Sequence, residues 1–165
     1  MQEIAAWVHE GHPGDHWRES RDCWRFRRLD DGQEVKLLLD THIWIWAATS
    51  PEKLGRRVQR ELQRSGNELY LSPVSIWEAR HLERRKRLRA TPDFSQWLDK
   101  ALTQAPFREA PFTFAVAIAA SQIQLPEPDP GDVFLAATAL TLDLTLVTAD
   151  PQLLECSWLK TLSND

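Results

Sequence analysis

Four acidic side chains, Asp40, Glu78, Asp132 and Asp150, stand at points of the chain where side chains commonly do chemistry. Asp40 directly follows the apolar run Val35-Lys36-Leu37-Leu38-Leu39, and Glu78 falls in the first two turns after Ser72-Pro73. Asp132 opens a helical segment that runs to about Leu142, and Asp150 lies two residues past the apolar run ending at Thr148. Singly, each has a structural use: Asp40, Asp132 and Asp150 suit helix N-termini and turns, and Glu78 suits a solvated face. Jointly they suit one pocket, because a purely structural reading gives no reason for four acids to converge. Converging carboxylates repel, and the cost is relieved only by protonation or by bound cations. Oxygen donors without histidine or cysteine favour Mg²⁺ or Mn²⁺ over zinc. Such ions polarise a phosphodiester, generate hydroxide from bound water and stabilise the leaving oxygen.

The elements that must position these acids alternate between strand and helix. Val35 to Leu39 is nearly continuous in apolar residues, as expected of a strand buried on both faces. Ser50-Pro51-Glu52 reads as a helix start, with Leu54, Val58 and Leu62 recurring on one face. Leu69-Tyr70-Leu71 is a second strand, and Ser72-Pro73 opens the helix that carries Glu78. Thr91-Pro92 starts another helix, with Phe94, Trp97, Leu98 and Ala101 on one face. A short strand is expected within Phe107 to Phe112 and a helix over Thr113 to Gln124, followed by a proline-rich loop from Leu125 to Gly131. Leu144 to Thr148 is a further strand, and the last residues add a short helix and an edge strand. This alternation predicts an α/β protein with a mostly parallel sheet covered on both faces, a three-layer α/β/α sandwich. In such sheets, sites form at the carboxyl edge, which is where the four acids fall.

Bulk properties agree with one domain. The chain has 165 residues, 42% of them hydrophobic and 27% charged, enough to bury a core. No apolar run approaches the ~20 residues of a membrane span, so no membrane association is expected. The first residues lack an apolar export signal, and Cys23 and Cys156 lie far apart, which predicts reduced thiols in a cytoplasm. The net charge of −4 hides a local excess: Arg80, Arg84, Arg85, Lys86, Arg87 and Arg89 stand against only Glu83. That run is either a solvated helix face or a grip on a phosphate backbone beside the acidic site, with Arg80, Arg84, Arg85 and Arg87 as candidate RNA-binding residues.

The segments around the acids resemble a known family. Leu37-Leu38-Leu39-Asp40-Thr41-His42-Ile43-Trp44-Ile45-Trp46-Ala47 looks like the opening of PIN domains, specifically the VapC toxins of bacterial toxin–antitoxin pairs. Leu71 to Glu78 resembles their second motif, Asp129-Pro130-Gly131-Asp132 with Leu135 to Ala139 their third, and Leu146 to Asp150 their fourth. The resemblance covers residues 36 to about 160. It implies a PIN-like sandwich, Mg²⁺- or Mn²⁺-dependent endoribonuclease activity, inhibition by a cognate antitoxin and a homodimer. By motif position it assigns metal binding to Asp40 and Asp132, completes the catalytic set with Glu78 and Asp150, and places Thr148 beside them. Departures touch substrate positioning: Gly131 stands where the family often has phenylalanine, Val133 where it often has arginine, and Leu82 where a lysine often follows Glu78. Asp129 is read as shaping the proline loop, His42 as a packing or hydrogen-bonding residue, and Trp44, Trp46, Trp77 and Trp97 as core or partner-facing rather than base-stacking.

Two other readings were weighed against the ribonuclease. A PIN-like binding module without catalysis is disfavoured because all four acids are present. A different Mg²⁺-dependent phosphoester hydrolase commonly needs a second acid two residues after the first, where this chain has His42. Residues 1–34 form an N-terminal extension ahead of the nuclease-like domain 35–165, with no sustained period, expected to be loosely attached or not native. Within it, Asp31-Gly32 is a hairpin signal with Trp24 to Leu29 as partner strand, which meets the objection that the first strand of this fold has no free edge. His9, His12 and His16 are a weak metal-site candidate in a segment with little rigid structure.

Overall fold

A strand whose side chains are apolar on both sides can be satisfied only in the middle of a covered sheet, and two segments meet that description. In the computed structural model, which describes residues 34–127 and 129–165, strand β1 (Lys36–Leu39) buries Leu37, Leu38 and Leu39. The segment Thr145–Thr148 is buried throughout. These two strands pair in parallel, Leu38 opposite Leu146. Outward from β1 lie β2 (Glu68–Leu71) and β3 (Arg108–Glu109), and outward from β4 (Thr145–Thr148) lies β5 (Thr161–Ser163). The order is β3-β2-β1-β4-β5, every neighbouring pair parallel. The chain is therefore α/β with β1 central and both its edges taken, as the sequence predicts. The two edge strands are short, and β3 is exposed, which leaves little edge for further pairing.

Seven α-helices connect the strands among the described residues: α1 (Thr41–Thr49), α2 (Arg56–Gln63), α3 (Pro73–Arg84), α4 (Phe94–Thr103), α5 (Phe114–Ala120), α6 (Pro130–Thr141) and α7 (Pro151–Leu154). Successive side chains of a strand point to opposite faces, and both faces of β1 are covered. Leu38 packs in a cluster with Leu146 of β4, Leu135, Ala136 and Ala139 of α6 and Leu153 of α7. Leu37 and Leu39 are buried on the other side. Trp44 of α1 is fully buried, its ring 5.4 Å from that of Trp97 on α4. None of these helices is long and apolar enough to cross a membrane.

Four element boundaries differ from expectation. The helix expected from Ser50 is split into a 3₁₀ turn, Pro51–Lys53, and α2. Between them the Gly55 N–H donates to Asn164 Oδ1 at 2.8 Å, and a Cβ on Gly55 would overlap the backbone of Asp165. The C-terminal tail thus claims a backbone donor that an unbroken helix would use. Helix α4 starts at Phe94 because Asp93, not Thr91, accepts the N–H of Gln96. Helix α5 ends at Ala120, short of Gln124, and α6 begins two residues before Asp132. The readings made for the Asp31-Gly32 hairpin, its Trp24 to Leu29 partner and the histidines His9, His12 and His16 lie outside the described residues.

Trp44 is the largest side chain with no exposure, so Trp44→Ala should cost about 3–5 kcal/mol. Urea unfolding followed by circular dichroism measures this; a loss under about 1 kcal/mol would show that the α1–α4 contact is not part of the core.

Candidate active site

The carboxyl edge of a parallel sheet offers a place where strand ends and helix starts meet, and here the chain moves from β1 to β2 on one side and later to β4 on the other. That reversal of direction opens a crevice beside β1. Asp40 leaves β1 there as the N-cap of α1, its Oδ1 accepting the His42 N–H at 3.1 Å. Its Oδ2 accepts the hydroxyl of Thr148, the last residue of β4, at 2.5 Å. Asp40 is only 5% exposed, and its two oxygens are held by one donor from the first turn of α1 and one from the end of β4.

The other acids arrive from separate segments. Ser72 caps α3 by accepting from Val74 and so directs the first turns that carry Glu78. Thr41 donates its hydroxyl to Glu78 Oε2 at 2.6 Å, tying α3 to the start of α1. Gly131 lies against Glu78: a Cβ there would sit 2.6 Å from Glu78 Cδ, too close for any real contact. The glycine lets the carboxylate approach the N-terminus of α6, where backbone N–H groups favour negative charge. Asp129 caps α6 through the Gly131 N–H at 2.8 Å, with Pro130 in its first turn, so Asp132 projects from that turn. Asp150 caps α7, accepting from Gln152 at 2.7 Å, and its own N–H donates to Thr148 Oγ1 at 3.0 Å.

Their electrostatics shows how near these groups are. Burial, then the negative charges of Asp40, Asp150, Asp129 and Glu78, push the Asp132 carboxyl up to about 7. Burial raises Asp40 despite the Thr148 and His42 donors that favour its charged form. Burial also raises Glu78, with Asp40 and Asp129 adding to it against the Thr41 bond. The strongest charges on these acids come from one another and from His42, not from Arg80, Arg84, Arg85 or Arg87. All four predicted acids and Thr148 therefore meet at one edge. The arginines do not join them: Arg80 pairs with Glu83 at 3.0 Å and lies over the Phe94 ring, while Arg84, Arg85 and Arg87 are exposed.

Repelling carboxylates with no lysine or arginine of the described residues among the leading charges on them have the donor chemistry of a hard divalent cation site. Among the described residues no three such side chains already close round a single point, so the acids are neighbours rather than a finished cage. Sequence reasoning missed three contributors. Thr41 follows Asp40 directly, and its hydroxyl was the available signal. Gly131 is visible as a small residue in place of a bulky one, and Asp129, expected to shape the proline loop, caps α6 at the end of that loop and adds charge to the site.

Comparison with known proteins places these features in context. The family model described as PIN domain matches residues 37–159. No curated protein matches the chain in sequence. Among solved structures, VapBC2 from Rickettsia felis, bound to a DNA fragment from its promoter, is similar with a TM-score of 0.61 and 16% identity, over 79% of this chain and 100% of that one. VapBC from Salmonella typhimurium, also bound to DNA, matches with a TM-score of 0.58 and 16% identity, over 79% and 99%. FitAcB from Neisseria gonorrhoeae matches with 0.55 and 24%, over 78% and 97%.

Two predictions test this geometry. Asp132 binds its proton more tightly folded than unfolded, with a folded value of about 7 against 3.8. Stability of the metal-free protein should therefore fall as pH rises through that window, and be lower at about pH 8 than at about pH 5. Asp132→Asn should flatten the slope; urea titrations in chelator at both pH values measure it, and equal slopes would refute it. Separately, Gly131→Ala should destabilise the protein by about 1–3 kcal/mol while Glu78 is present. In a Glu78→Ala background the same change should be neutral or stabilising, as alanine favours a helix. An unchanged cost in both backgrounds would mean that Glu78 does not occupy that space.

Proposed function

This chain belongs to the PIN-domain family, and from that membership we propose that it is a metal-dependent endoribonuclease, the toxin of a toxin–antitoxin pair. The observation that carries the reading is the meeting of Asp40, Glu78, Asp132 and Asp150, from four separate segments, at one edge of the sheet. Asp40 and Asp132 are the residues to hold Mg²⁺ or Mn²⁺, with Glu78 and Asp150 completing the acidic set. When bound, the ion polarises the phosphodiester and supplies hydroxide at neutral pH. The chain's own residues do the positioning. Thr148 and the His42 N–H hold the Asp40 carboxylate in one orientation, and Thr41 does the same for Glu78. Donors behind such carboxylates fix the ligands of the reacting centre.

The partner half of the proposal is supported by the similar solved structures, which are VapBC and FitAB assemblies. That likeness supports a cognate antitoxin as this chain's partner, and the homodimer is proposed from the family resemblance alone. Exposed Phe114 on α5, with Phe112 and Ile118 nearby in the chain, offers apolar surface for such contacts.

The test is cleavage of total bacterial RNA by the full chain with Mg²⁺, Mn²⁺ or chelator. Cleavage should need the ion, and Asp40→Asn or Asp132→Asn should abolish it while circular dichroism shows an intact fold. Full activity of either variant, or activity undiminished in chelator, would overturn the proposal.

A further inference from the structure

Past Glu78, helix α3 presents a surface that the acidic site does not use. Trp77, adjacent to Glu78 in the chain, is 63% exposed, so of the two places expected for it, core or partner-facing surface, it takes the surface. Its indole stacks on the His81 imidazole one turn on, with ring centroids 5.4 Å apart and planes 14° from parallel. At 3.6 residues per turn, Trp77, His81 and Arg84 form one row along the helix, and Glu78, His81 and Arg85 form the row beside it. The face thus runs from a site carboxylate, through a flat aromatic pair, to the exposed cations Arg84 and Arg85, with Lys86 and Arg87 exposed in the turn that ends the helix. None of these four cations has an ion-pair partner among the described residues, whereas Arg80 is engaged by Glu83.

The geometry points to the Trp77–His81 pair as a stacking platform for a nucleobase of the substrate, next to the phosphodiester to be cut, with Arg84 and Arg85 holding the phosphates beyond. The inference rests on the ribonuclease reading and adds to it the residues that position the strand. A planar ring held by a stacked neighbour presents its face at little entropic cost, and any unpaired base has a π-face to meet it. The adjoining positive charge favours a polyanion over an apolar protein segment as the occupant. Trp77 and His81 touch the substrate without joining the reaction.

The test compares two labelled oligonucleotides, a short single-stranded RNA of mixed sequence and its abasic counterpart with the same phosphates. Binding is read by fluorescence anisotropy with Mg²⁺ in an Asp40→Asn background. Trp77→Ala should weaken binding of the base-bearing RNA roughly tenfold, the order expected for one stacked base, and leave the abasic strand unchanged. Trp77→Phe should restore most of the loss, and Arg84→Ala with Arg85→Ala should weaken both strands and lower the salt dependence. With Asp40 intact, Trp77→Ala should raise KM by a similar factor and leave kcat alone. Should the alanine variant not fold, Trp77→Leu replaces it, keeping bulk without a planar face. Equal affinity of parent and Trp77 variants for the base-bearing RNA, or equal loss on both strands, overturns the platform and leaves the ribonuclease reading standing. So does an unchanged RNA affinity with loss of binding to a protein partner. A parent protein that binds neither strand and cuts no RNA overturns both.

Discussion

Mutual repulsion among carboxylates at one end of the sheet is the interaction around which the rest is arranged. Asp40, Glu78, Asp132 and Asp150 would each be lower in energy dispersed in water, and the protein instead brings them together in a half-dry setting where Asp132 is driven up to about 7. Such an arrangement persists only if the surrounding fold is strong enough to hold it. The hydroxyls of Thr148 and Thr41, the backbone N–H of His42 and the N-terminal turns of α6 and α7 each offset part of the cost.

The scaffold supplies that strength from the apolar centre of the sheet. β1 is buried from Leu37 to Leu39 and β4 throughout, and the chain's reversal about β1 brings the ends of both strands side by side. Asp40 and Thr148 meet because those ends are neighbours, although 108 residues separate them. Helices α3 and α6 then add Glu78 and Asp132, and the lack of a side chain at Gly131 allows the two helices' polar ends to approach. Stability and reactivity are in this sense opposed: the same packing that secures the fold keeps the acids from separating.

Much of this was legible in the chain. Apolar runs at Leu37–Leu39 and Leu144–Val147 marked buried strands, and Asp40 directly after the first and Asp150 three residues after the second marked the reactive edge. Less legible were contacts between segments distant in sequence. Nothing local to Gly55 says that the C-terminal Asn164 will take its N–H and divide a helix in two. The tryptophans show the same limit. Trp44 and Trp77 both lie at helical positions in apolar surroundings, yet one is fully buried and the other mostly exposed, because burial depends on what packs across the helix.

By itself the sequence determined which residues could do chemistry and which elements would carry them, since strand period, helix capping and side-chain ionisation are local properties. It also pointed to a mostly parallel sheet, because strands alternate with helices along the chain. Only the tertiary structure decided that the four acids share one electrostatic environment and that Thr41 and Gly131 set the position of Glu78. Those outcomes depend on distances between segments, which arise when strands take their neighbours and helices pack, and a linear chain carries no such distances.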